Sequence, residues 1–205
     1  MVSNLNPSTV TSRSISVFRY ISLVFALLSL IGCGQTIRSI SAADNRLPNE
    51  AKERIADAED AVLIARSRLQ DTERAREIAD QKSLKFSQQP PNLGSATAIA
   101  RQLISARLHL ASLEQSYAEV NHQLSLNRLK LVYAQTAMRY DIAVYDLIPL
   151  DQSVDGARQA LLQLRRERKQ ARSKMKTLVD QWWKAYKGLA QSTGTQAFWV
   201  YEFTK

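Results

Sequence analysis

The chain has 205 residues and a formal net charge of +9. Six glycines and five prolines leave few helix breakers, and a hydrophobic fraction of 45% argues against wholesale disorder. The single cysteine excludes an intramolecular disulfide, and the length suits one domain.

Arg13 and Arg19 make the start of the chain positive. Tyr20 to Gly32 then runs without a charge. This run is shorter than the roughly 20 residues a membrane-spanning helix needs, and it suits the apolar core of a signal peptide. It ends in Leu30-Ile31-Gly32-Cys33. That tetrapeptide resembles the lipobox of bacterial lipoproteins, with a branched residue at its start, a small one before the cysteine, and cysteine as the lipid acceptor. The resemblance implies a signal peptide over 1–32, cleavage between Gly32 and Cys33, and a diacylglyceryl thioether on the Cys33 sulfur. A simple secretory signal, or a short anchor with an incidental cysteine, is the alternative. Each buried methylene is worth about 0.8 kcal/mol and one acyl chain holds only reversibly, so two or three chains imply permanent anchoring. Gly34 follows the cysteine where Asp would mark inner-membrane retention in enteric bacteria. By that rule the expected location is the outer membrane, facing the periplasm.

Residues 33–47 read as a polar, lipidated tether. Pro48, Glu50 and Glu53 favour a helix start, and a first helix is predicted from about Pro48 to Phe86. Ala51, Ile55, Ala58, Val62, Ala65 and Leu69 keep the three-four step of a coiled-coil seam, which fades at Thr72 and Arg76. Pro90-Pro91 breaks the helix, and Ser95 is a candidate cap. The second helix carries the longest seam, from Ile99 through Leu103, Leu110, Leu113, Tyr117, Val120, Leu124 and Leu131 to Tyr145 and Ile148, with Asn127 and Asp141 as polar members. A second stripe of Leu126, Leu129, Tyr133, Thr136, Tyr140, Ala143 and Leu147 calls for a second neighbour. Pro149 predicts a turn or kink, with Asp151 or Ser153 capping a third helix that runs to about Leu189. Its seam is Val154, Ala157, Leu161, Leu164, Arg168, Ala171, Met175, Leu178, Trp182, Ala185 and Leu189. Residues 48–190 therefore form the helical domain, and 191–205 a short aromatic tail with Trp199, Tyr201 and Phe203.

The predicted fold is all-α: an elongated antiparallel coiled-coil bundle of about three long helices, the second one central. Turns near 91 and 150 place Leu69 opposite Leu113, Val62 opposite Val120, Arg168 opposite Tyr133, and Asn127 opposite Lys174. The outer helices then overlap only along the middle of the second. Tyr140 and Leu147 lie beyond the first helix, which calls for self-association or a partner there. A rod in which the third helix continues straight past Pro149 is the alternative.

Catalytic chemistry finds little material. His109 and His122 stand far apart with no cysteine or second histidine at ligand spacing, so no metal site is expected. Asp57, Glu59 and Asp60 read as a charged outer face. No glycine-rich phosphate loop occurs, and no cofactor is expected. Polar seam residues such as Asn127, Asp141 and Arg168 usually set register, with a ligand gripped in the bundle as the alternative. Between Arg158 and Lys187, ten basic residues face only Glu167 and Asp180, a local balance of +8 where the whole chain carries +9. Arg165, Arg166, Lys169, Arg172 and Lys176 are the candidates for contact with an anionic lipid or cell-wall polymer, against a merely solvated basic face. Nucleic acid is not an expected partner in the periplasm. Trp183 lies off the seam and could join the tail aromatics in an interfacial or partner-binding patch, or pack locally.

The runs Ala56-Asp57-Ala58-Glu59-Asp60-Ala61 and Ala100-Arg101-Gln102-Leu103 resemble alanine-rich helical hairpins of envelope proteins of unknown function. The hairpin is also similar to those by which periplasmic adaptors meet outer-membrane efflux channels, without a matching tip motif at Pro90-Pro91. Together these readings imply a non-enzymatic, lipid-anchored helical scaffold or interaction protein of the cell envelope. An accessory or adaptor subunit of a secretion or efflux assembly is the alternative.

Overall fold

A computed structural model describes residues 37–88 and 96–193, with side chains through Lys187. The signal segment, the cleavage site at Gly32 and Cys33, the Pro90-Pro91 break, the Ser95 cap and the aromatic tail lie outside the described residues. Three helices follow in chain order: α1 (Asn49–Gln88), α2 (Ala96–Arg139) and α3 (Ile148–Thr193). No strand occurs among the described residues. The chain is an all-α antiparallel helical bundle.

α1 begins as its sequence suggests. The Pro48 carbonyl accepts the first helical bonds, from the N–H groups of Ala51 (3.0 Å) and Lys52 (3.2 Å). Ala51, Ile55 and Ala65 are buried. The seam does not end at Leu69: Ala79 and Phe86 return to it and are buried. Between Leu69 and Ala79, Arg76 donates to Gln115 Oε1 of α2 at 2.9 Å, and Gln115 donates to Glu119 at 2.7 Å. A polar rung thus replaces an apolar one where the pattern weakens.

α2 is shorter than its apolar pattern predicts, ending at Arg139 rather than near Ile148. Asp141 has φ 53°, the left-handed conformation. The Ile142 N–H bonds the Ala137 carbonyl at 2.8 Å, and the Asp141 N–H bonds the Met138 carbonyl at 3.4 Å. This double bond pattern around a left-handed residue is a Schellman cap, and aspartate is one of the few non-glycine residues that adopts it. Asp141 is therefore a helix terminator, not a polar seam position. The stripe continues in the sequence past Arg139 because loop residues Tyr140, Ile142, Ala143 and Tyr145 are drawn into an apolar cluster by tertiary packing.

α3 starts at Ile148, whose N–H bonds the Asp146 carboxylate at 3.0 Å. Asp146 is the cap, not Asp151 or Ser153. Pro149 sits in the first turn, where its missing N–H has no helical partner to lose. Every seam residue of α3 from Val154 to Ala185 is buried or half-buried, and Val154, Leu178 and Trp182 are buried outright.

α2 packs against both α1 and α3, while the outer helices share next to no direct contact. The two stripes of α2 thus have two neighbours, and from Leu110 to Gln135 few of its side chains are exposed. The register differs from the predicted one. Tyr133 meets Glu59, and Gln115 meets Arg76, a shift of roughly two and a half helical turns from the Val62–Val120 pairing. On the other side Arg168 meets Tyr117 rather than Tyr133, and Asn127 meets Ser153 rather than Lys174. The early end of α2 moves this turn toward the N-terminus. Both outer helices consequently run along most of α2 instead of overlapping only at its middle.

Two clusters close the ends of the bundle. At one end Phe86 of α1, Ala96, Ala100, Leu103 and Ile104 of α2, and Leu178 and Trp182 of α3 pack together. At the other, Ala51 and Ile55 of α1 join Tyr133 and Ala137 of α2 and also Ile40 and Leu47. The described part of the predicted tether 33–47, residues 37–47, is therefore docked. Its Ile37, Ile40, Ala42 and Leu47 pack with Tyr140, where the sequence pattern calls for self-association or a partner. The apolar side chains within this polar segment supply the reason, since burying Ile40 and Leu47 offsets the entropy of ordering a short loop.

Candidate functional site

A helix turns roughly 100° per residue, so steps of three and four keep side chains on one flank. On α3 that flank holds Arg158, Arg165, Lys169, Arg172, Lys176 and, a heptad further on, Trp183. It lies beside the seam that α3 presents to α2. Arg165, Arg166, Lys169, Arg172 and Lys176 are all exposed. Arg166 stands roughly 100° further round the helix than Arg165 and so falls outside the stripe. The structure thus gathers four of the five predicted basic residues into a line and adds Arg158 to them.

Two of these five basic side chains are paired with acids. Arg172 donates to Glu114 of α2 at 2.8 Å, and Arg158 pairs with Asp155 one turn before it at 2.8 Å. Both guanidinium groups keep more than half of their side-chain surface in solvent. Exposed pairs of this kind contribute little to stability and leave the field of the stripe in place. Trp183 is half-buried and meets Tyr186 edge-on, with ring centres 5.8 Å apart, while Tyr186 stacks on Trp182 at 5.9 Å. These three aromatics end the stripe at its C-terminal side. The tail residues Trp199, Tyr201 and Phe203 lie outside the described residues.

The other singled-out polar residues have structural partners. Asn127 donates to the Ser153 carbonyl at 3.2 Å and accepts from Gln123 at 3.0 Å, which ties α2 to the start of α3. Arg168 lies over the Tyr117 ring, and its Nε is buried without a hydrogen-bond partner. Glu59, read from sequence as part of an outer charged face, is half-buried and accepts a 2.6 Å hydrogen bond from the Tyr133 hydroxyl. Burial, and then this carboxylate, push the Tyr133 phenol up to about 12. Its spacing within the stripe of α2 marks Tyr133 as inward-facing, but nothing local marks Glu59 as its partner.

Asp44 shows the opposite shift. It accepts from the Arg46 backbone N–H at 3.0 Å and from both the Nε and Nη2 of that side chain. These bonds pull its carboxyl down to about 2. The clamp closes the loop that leads from the docked segment into α1. His109 is exposed and His122 half-buried. Among the described residues, no group of three His, Cys, Asp or Glu side chains is placed to hold a metal ion. None of the described helices is long and apolar enough to cross a membrane. Comparison with known proteins finds no matching family model, no similar curated protein and no similar solved structure.

Proposed function

We propose that this protein is a non-enzymatic, lipid-anchored helical scaffold of the bacterial outer membrane, facing the periplasm, that holds an anionic envelope component along α3. The carrying observation is the exposed line of Arg158, Arg165, Lys169, Arg172 and Lys176 on the flank of a helix whose seam is occupied by α2. A face that merely keeps a protein soluble works best with mixed charges, whereas one sign crowded on one flank repels itself. An acidic partner relieves that repulsion. Each basic residue near an anionic lipid surface is worth about 1 kcal/mol, within a Debye length of roughly 8 Å at physiological salt. The lipobox-like Leu30-Ile31-Gly32-Cys33 supports the anchor.

The test uses protein without its lipid, so that the anchor cannot mask the effect. Binding to anionic vesicles, purified lipopolysaccharide and cell-wall sacculi is measured from low to high salt. Wild type should bind at least one of these and release it as salt rises. The quadruple reversal Arg165→Glu, Lys169→Glu, Arg172→Glu, Lys176→Glu should not bind. Equal behaviour of the two proteins would leave the stripe a solvated face.

A second reading, an accessory or adaptor subunit of a secretion or efflux assembly, is favoured by α1. Its Leu63, Ile64, Ile78 and Leu84 are all more than half exposed, as a surface receiving another helix would be. Site-specific crosslinking from Ile78 in intact cells separates the readings, because an adaptor yields one defined protein adduct.

A further inference from the structure

We propose that the loop between α2 and α3, together with the first residue of α3, makes a second, protein-built contact with the bilayer, through Val144 and Ile148. The inference rests on the lipid-anchor reading of Cys33. Val144 is 89% exposed and Ile148 66%, the two highest exposures among the large hydrophobic side chains described. The chain neighbours of Val144, Ala143 and Tyr145, are held in the cluster formed with Ile37, Ile40 and Leu47. The loop is thus braced from behind while these two apolar side chains are left in water.

Chain length supplies the occupant. The Arg38 N–H donates to the Tyr145 hydroxyl at 3.3 Å, so the docked N-terminal segment begins beside this loop. Four peptide steps separate Cys33 from Ile37, and an extended chain advances at most about 3.6 Å per residue. A lipid on Cys33 therefore keeps Ile37 within about 14 Å of the surface it is embedded in. Tyr145, bonded to Arg38, is tethered with it, and Val144 is the adjacent residue in the chain.

Exposed Asp141 and Asp146 bracket Val144 and limit how deep the loop can go. The contact is shallow, about 5–10 Å into the boundary between headgroups and acyl chains. It is apolar, so it differs in kind from the salt-dependent contact proposed for α3. It also sets a direction. α3 leaves this end of the bundle at Ile148, so its basic stripe runs away from the anchoring membrane, with Arg158 nearest and Lys176 farthest.

The test uses the full lipidated protein in vesicles of phosphatidylethanolamine and phosphatidylcholine. The lipid consumes the Cys33 thiol, so Val144→Cys and Ile148→Cys each offer one site for an environment-sensitive fluorophore. Leu84→Cys is the control: it is 57% exposed and lies near the opposite end of α1, whose 40 residues span about 60 Å. Probes at Val144 and Ile148 should shift to the blue, be quenched by brominated acyl chains, and resist aqueous iodide severalfold better than the Leu84 probe. High salt should leave all three readings unchanged. If the vesicles carry the protein but the Val144 and Ile148 probes respond to iodide as Leu84 does, the proposal is overturned. Shielding from both quenchers would overturn it too, since that reports protein rather than lipid over the loop. Should Cys33 itself take up the fluorophore and the protein fail to float with the vesicles, the anchor reading falls, and this proposal with it.

Discussion

The Arg168 guanidinium lies 4.3 Å from the centre of the Tyr117 ring, and this contact helps determine where α3 stands along α2. A cation over a ring gains about 0.5–2 kcal/mol. The buried, unpartnered Arg168 Nε costs about 1–3 kcal/mol. The two nearly cancel, so the pair specifies register more than it stabilises.

Arg168→Met should therefore leave stability within about 1 kcal/mol of wild type, because it removes the unsatisfied donor together with the ring contact. Tyr117→Leu should cost about 2 kcal/mol, since it leaves the half-buried guanidinium without its ring and its Nε still unpartnered. Urea unfolding of both single variants and the double variant measures the coupling. A coupling near zero would show that the contact is incidental.

Asp141 predicts a reversal of the usual rule that glycine weakens a structure. With φ 53° a side chain is strained, so Asp141→Gly should stabilise by about 0.5–1 kcal/mol. Asp141→Val should destabilise by at least about 1 kcal/mol, as a β-branched residue rarely adopts the left-handed region. Thermal melts of the two variants check the sign. A helix continuing through Tyr145 would give the opposite order.

Tyr133 makes stability sensitive to high pH. Its ordinary value of 10 is raised to about 12 by burial and by its hydrogen bond to Glu59. The folded state therefore favours the neutral phenol. That contribution is complete below pH 10 and is lost as pH rises toward 12. The amount is on the order of 1 kcal/mol, reduced from the full shift because Glu59 remains partly in water. Tyr133→Phe should lower stability at neutral pH and show a shallower decline between pH 10 and 12. Parallel declines in the two proteins would place the alkaline transition on other tyrosines.

Leu110 and Leu113 are both seam residues by spacing, but the structure separates them. Leu110 is 2% exposed and Leu113 half-buried. Leu110→Ala should cost about 2–5 kcal/mol, and Leu113→Ala about half as much. Equal costs, measured by denaturant unfolding, would mean that α2 is rotated from its described orientation.

Three helices, their seams and the basic crowding on the third are legible in the amino-acid order alone. Each depends on neighbours a few residues apart: Ile55 recurs with Ala51 and Ala58, and Lys169 with Arg165 and Arg172, so the spacing itself states which flank they share. Register is different. An apolar repeat looks the same after sliding by a heptad, so Val62 could face Val120 as readily as a residue nearer Leu129. Single pairs break that degeneracy: Glu59 with Tyr133, Asn127 with Ser153, Arg168 with Tyr117. Only the tertiary structure decides those pairs, because they join residues remote in the chain. It likewise decides that α2 stops at Arg139 and that segment 37–47 docks. The apolar residues around Tyr140 look alike in sequence whether a helix or a folded loop buries them, and the left-handed turn at Asp141 selects the loop.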